Sequence, residues 1–275
     1  MKRKLSTRTL ALLVAAGLLF SIGTVTGVRA YPNIQSELYR AHFYLNHLQV
    51  HLLENDKDVC GGKNTLDGTA KITGPLATNL GYKSLDEVGS VEPGKIYDEK
   101  IQAENGQDIS QFVRMTVRKY WVETENGKVK VDSNGEPVKT TALKPSLIHL
   151  TYGTDDYNTG AWAEVTQERT TESRTYIYKK LLPGNKKTDP IFTKLQIDES
   201  VAVREDDPII STEGDTTIYT YVYKYDGYAF FIEADVQAIQ AHNAQDAIES
   251  QWGPYVKATY TENSDGSESG SLSVK

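Results

Sequence analysis

Cysteine is almost absent from these 275 residues: Cys60 stands alone, in the run Asp58-Val59-Cys60-Gly61-Gly62. No disulfide can form within the chain, so core burial and hydrogen bonding must hold the fold. The thiol has two readings, a cross-link between subunits or a lone group in a loop. Histidine is scarce, with five residues, and none of them opens a His-Glu-x-x-His zinc motif. A Gly-x-Ser-x-Gly elbow and a phosphate-binding loop are both missing. A Cys/His nucleophile would need Cys60 beside a histidine, and a Gly-Gly loop gives no sign of one. Asp155-Asp156 and Glu205-Asp206-Asp207 lack the spaced ligands of an EF-hand. Asn-x-Ser/Thr acceptors are missing too, which together with the lone cysteine points to a bacterial exported protein. No catalytic residue, cofactor site or metal site is therefore assigned, and the expectation is a protein that is not an enzyme. Basic charge is also in deficit. The first thirty residues hold five basic residues and no acid, so their removal takes the net charge from −7 to −12. Such a chain has no electrostatic reason to bind nucleic acid. Beyond residue 30 no apolar run is long enough to span a bilayer.

The one long apolar run lies at the start. Lys2, Arg3, Lys4 and Arg8 form a basic head, Leu10 to Ile22 is almost wholly apolar, and Val28-Arg29-Ala30 follows. This is the three-part layout of a secretory signal, with cleavage expected after Ala30 and a new N-terminus at Tyr31. An uncleaved anchor is the rival, since a span needs about 17–25 apolar residues. Gly, Ser and Thr in the second half of the run favour cleavage. The expected organisation is a signal peptide at 1–30, an N-terminal arm at 31–42, a β-sandwich domain at 43–261 and a flexible polar tail at 262–275. The mature protein is then secreted, to the extracellular matrix or cell surface, with no membrane contact after cleavage.

Most of the chain alternates with period two. In Gln111 to Val122, Val113, Met115 and Val117 share one face against Arg114, Thr116 and Arg118, and Asn126-Gly127 predicts a hairpin turn into Lys128–Val131. Ile218 to Tyr225 and Phe230 to Gln237 predict a second hairpin about Asp226-Gly227, read as the most buried part of the sheet. Its tyrosine stripe reads as half-buried cross-strand packing, with a carbohydrate platform as the alternative. Further strands are expected at Phe43–Leu53, Ile96–Ala103, Ser146–Tyr152, Ala161–Gln167, Arg174–Lys180 and Ile191–Val203. Many short strands between turn signals predict an all-β fold, a jelly-roll or β-sandwich, with one or two short helices. One helix is expected at Ala244–Trp252, capped by Asn243 and ended by Gly253, and a second near Thr78–Val88. His47 and His51 would share a face on a helix. On a strand the same spacing sets them about 13 Å apart, too far for one ion.

Several runs resemble one family. They are Gly23 to Ala30 before Tyr31, Glu54-Asn55, Val91-Glu92-Pro93-Gly94, Phe112-Val113-Arg114, Phe230 to Gln240, Ala247-Ile248 and Trp252-Gly253. This pattern is similar to the TasA and camelysin-like proteins of Gram-positive bacteria, and to their clostridial branch. The resemblance implies a jelly-roll protein processed by a SipW-type signal peptidase and assembled with copies of itself into biofilm-matrix fibres. It also implies that the freed arm completes the sheet of the next subunit, which would satisfy an unpaired edge. Carried onto this chain, Tyr31, Ile34 and Leu38 are the candidate assembly residues. Matrix polysaccharide or an accessory anchor protein are further candidate partners. The rival functions are a surface adhesion or carbohydrate-binding module using Tyr221 and Tyr223, and a secreted metalloprotease using His47 and His51.

Overall fold

The structure, a computed structural model, describes residues 48–59, 69–71, 76–80, 89, 91–151, 160–204, 207–214 and 216–275. The expected signal and arm, residues 43–47 of the first strand, Cys60, and residues 81–88 of the expected early helix lie outside these. The strands follow the chain as β1 Val50–Glu54, β2 Lys57–Asp58, β3 Thr69–Lys71, β4 Ile96–Asn105, β5 Gln111–Glu125, β6 Lys128–Val129, β7 Lys139–Thr140 and β8 Ile148–Thr151. Then come β9 Trp162–Glu164, β10 Ser173–Tyr178, β11 Phe192–Ile197, β12 Ile209–Glu213, β13 Thr216–Thr220, β14 Tyr228–Gln240, the helix α1 Ala244–Trp252, β15 Val256–Glu262 and β16 Glu268–Val274. The fold is an all-β sandwich with a short helix. Of the expected early helix, Thr78–Leu80 forms a single 3-10 turn.

Two antiparallel sheets carry the structure. The first runs β2-β1-β4-β11-β8, and the second β3-β14-β5-β10-β9 with β6 and β7 also on β5. Asn126-Gly127 makes the expected tight turn, with φ of 54° and 73°. Both residues need positive φ, which Asn and Gly adopt most readily. Val113, Met115 and Val117 point into the main core with Leu52, Ile101 and Phe192 of the facing sheet.

The second sheet is covered on its other face as well. Phe112, Ile177 and Ile239 pack there with Ile248 and Trp252 of α1 and with Val256 and Leu272 of the last two strands. Burying side chains of this size is worth about 1.5–3 kcal/mol each. Asn243 sits at the start of α1 in the left-handed region, φ 55°, with no side-chain capping bond, so its role is the turn rather than the cap.

Two expectations need correction. Residues 262–275 are not a flexible tail: β16 pairs with β15 along its length, and Leu272 is 2% exposed. Backbone bonds from Leu181 N–H to Gly270 O (3.1 Å) and from Leu272 N–H to Lys179 O (3.0 Å) tie β16 to the stretch after β10. Polar composition misleads here because backbone pairing and one buried leucine supply the hold. The second correction concerns Ile218–Tyr225, expected as the most buried hairpin. β14 pairs with β5 from Tyr228↔Glu123 to Gln240↔Gln111 instead, and β13 pairs with β12, both fully exposed. β14 alternates apolar groups with partners on β5 for both faces, whereas Thr216–Thr220 offers mostly Thr and Tyr to each side.

The two ends of the sandwich differ. At one, Gln111 exchanges backbone bonds with Leu182 (2.9 Å each), and Asn105 N–H donates to Lys186 O (2.9 Å). At the other, Glu123 pairs with Tyr228 and Ile96 with Gln196. β5, of 15 residues, spans roughly 45 Å between them at about 3.3 Å per residue.

Candidate assembly surfaces

The assembly residues named from the sequence, Tyr31, Ile34 and Leu38, and the cleavage pair Ala30 and Tyr31 lie outside the described residues. β8 borders the first sheet and pairs with β11 on one side. Its backbone alternates. Leu147 O accepts from Asp198 N–H at 2.9 Å on the β11 side, while Ile148 N–H turns back to Pro145 O. The Ile148 carbonyl accepts from Lys119 Nζ at 2.5 Å. In an antiparallel strand, alternate residues point their backbone groups to the same side, so Leu150 faces outward with Ile148.

Beside this edge lies a cleft of about 290 Å³ lined by Val117, Lys119, His149, Leu150, Glu172 and Arg174. Burial, and then the nearby charge of Arg174, lower the Lys119 ammonium to about 8. His149 Nε2 lies 2.9 Å from Asp198 Oδ2. Bonds from Ser200 and then His149 pull the Asp198 carboxyl down to about 2. Charges set into a sheet border keep it from indiscriminate pairing. Lys119 was not singled out from the sequence; the signal that could have found it is its parity with the inward series of Val113, Met115 and Val117.

A second polar cluster sits inside the sandwich. Glu54 and Glu99 are 1% and 0% exposed. Glu54 Oε1 accepts from Ala77 N–H at 2.6 Å and Thr78 N–H at 2.8 Å, and Oε2 accepts from Thr78 Oγ at 2.6 Å. Ala77 holds a positive φ of 73° to present its N–H. Asn55 Nδ2 donates to Glu99 Oε2 at 3.3 Å. Burial first, and then the neighbouring Glu54 carboxylate, push the Glu99 carboxyl up to about 9. Glu99 thus keeps its proton at neutral pH, and the pair pins residues 76–78 to β1 and β4. Leu76 N–H in turn donates to Ile232 O of β14 at 2.8 Å, so the pin joins the two sheets.

The other candidates separate. His51 lies in strand β1 with Nδ1 2.9 Å from Asp58 Oδ2, and His47 is outside the described residues. Among the described residues no three His, Cys, Asp or Glu side chains are placed to hold a metal ion. The tyrosine stripe divides. Tyr219 is 55% exposed and Tyr221 37%, Arg204 covers the Tyr221 ring at 3.9 Å, and Tyr223 stacks on Tyr225 at 5.9 Å. No family model matches this chain, no curated protein matches it, and no solved structure matches it.

Proposed function

We propose that the chain is a secreted structural subunit that binds other copies of itself and builds an extracellular matrix fibre. In this reading a SipW-type signal peptidase cuts after Ala30, and the arm from Tyr31 adds as a strand to the next subunit. The observation that carries it is the outward-facing Leu150 backbone on the β8 border beside its cleft, a place where an added strand would find a donor, an acceptor and a half-buried leucine. Ile34 and Leu38 are the anchors for that strand. Matrix polysaccharide and an accessory anchor protein are further proposed partners.

The experiment is a competition. A synthetic peptide covering residues 31–42 should bind the exported protein and slow its polymerisation, and the same peptide carrying Ile34→Asp and Leu38→Asp should do neither. Equal inhibition by both peptides would contradict the arm's role.

A carbohydrate-binding module is the second reading, favoured by the exposed rings of Tyr219 and Tyr221. It ranks lower because Arg204 already occupies one face of Tyr221. Glycan binding that is lost in Tyr219→Ala and Tyr221→Ala, without polymer formation, would reverse the order.

A further inference from the structure

The hairpin of β12 and β13 is exposed along its whole length, with Ile209 at 61%, Ile210 at 62% and Tyr219 at 55%. Each of its strands pairs only with the other among the described strands. The register sets Ile210 opposite Tyr219 on one face and Ser211 opposite Ile218 on the other, next to Ile209. Both faces therefore carry apolar groups, and neither meets a core. A two-stranded hairpin is marginal by itself in water, and an apolar surface of this kind marks a contact site. Its root is fixed: Lys224 N–H donates to Val203 O at 3.1 Å, and Arg204 forms a bridge with Tyr223. A held root below an uncovered blade is the geometry of an element that docks on something else.

Charge selects the occupant. From Glu205 to Tyr223 the sequence has five acids and no basic residue. Asp207 and Glu213 are exposed. Two such hairpins brought together would repel. The opposite sign lies at the other end of the same molecule, where Lys179 to Lys187 holds four lysines and no acid. Lys180 is paired with Asp189 at 3.1 Å, so Lys186 and Lys187 are the cations that would meet the hairpin. That loop is rigid. A Cβ on Gly184 would come within 2.4 Å of Asp108 O, Asn185 N–H donates to Gln107 O at 2.9 Å, and Asn185 Nδ2 holds Asp108 Oδ1 at 2.7 Å. Lys186 and Lys187 are exposed, and Lys187 reaches Asp56 only at 3.9 Å.

We propose that the β12–β13 hairpin of one copy docks on the Lys180–Lys187 end of a second copy, with Asp207 and Glu213 meeting Lys186 and Lys187. The proposal rests on the self-assembly reading above and adds to it a contact that does not use the arm. Because unlike ends meet, the contact is heterologous, and it propagates as a filament where its rotation does not close a ring.

Two charge-reversed proteins test it, both made as the full exported chain. One carries Asp207→Lys with Glu213→Lys, and the other Lys186→Glu with Lys187→Glu. All four sites are at the surface, and circular dichroism should show both variants folded like the parent. By sedimentation velocity at low salt, each variant alone should self-associate roughly tenfold more weakly than the parent. An equal mixture should recover association, because each reversed end finds a complementary one. Added salt should weaken the parent and the mixture alike. If either variant associates like the parent, or if mixing restores nothing, the contact is wrong. Parent filaments that survive both reversals would leave the fibre reading standing and remove this contact. A mixed 1:1 complex without parent filaments under any condition would do the opposite.

Discussion

A carboxyl group turned into a core must either meet a cation, collect donors or keep its proton. This chain uses all three solutions. Glu164, 3% exposed, is held by Arg169 through two bonds of 2.6 Å; Arg169→Ala leaves that charge buried and should cost about 3 kcal/mol in urea unfolding. Glu54 collects donors, and Glu99 keeps its proton. Since the Glu99 carboxyl in the fold is raised above its ordinary value, the stability it contributes is full below the unfolded value near 4.5. It is lost as pH rises through about 9. The slope over that window is at most about 1.4 kcal/mol per pH unit for one group. Glu99→Gln removes the titration, so its unfolding midpoint should change less between pH 5 and pH 9.5 than that of the parent; an unchanged slope would mean that Glu99 is not the titrating group. Both carboxyls were legible by parity, Glu54 with Val50 and Leu52, and Glu99 with Ile101 and Ala103. Their meeting was not, because it depends on β1 and β4 being neighbours, which no local pattern specifies.

Elements were legible where one face is apolar and the other polar. β5 and the Asn126-Gly127 turn followed from alternation and from the two positive-φ residues, and α1 followed from its apolar face. The terminal β15–β16 hairpin escaped because Ser, Gly and Glu dominate it, and its hold comes from pairing. Its Gly270 lies under Phe112, where a Cβ would come within 2.7 Å of Thr259 O and 3.1 Å of Phe112 Cζ. Gly270→Ala should therefore destabilise the protein by about 1–3 kcal/mol, and Leu272→Ala by about 2–4 kcal/mol. Thermal melts of both, with Ser271→Ala as a surface control close to the parent, check the claim that residues 262–275 belong to the fold. The opposite error occurred at Ile218–Tyr225. Alternation alone does not say which strand supplies the partner, and β5 offers β14 a longer and better matched one.

At the scale of the molecule, the sandwich is a platform with unlike ends and a charged, cleft-bearing border. The first thirty residues gave the expectation of export, and their boundary with Tyr31 is also where the proposed assembling strand begins. In the proposed reading cleavage and polymerisation are linked, so a protein left uncut at Ala30–Tyr31 should form no filaments. The most direct measurement is mass mapping of the N-terminus of the secreted protein, followed by electron microscopy of that same species. A chain beginning at Tyr31 that forms filaments is the predicted result. A chain beginning at Tyr31 that stays monomeric across a range of salt and pH would contradict it.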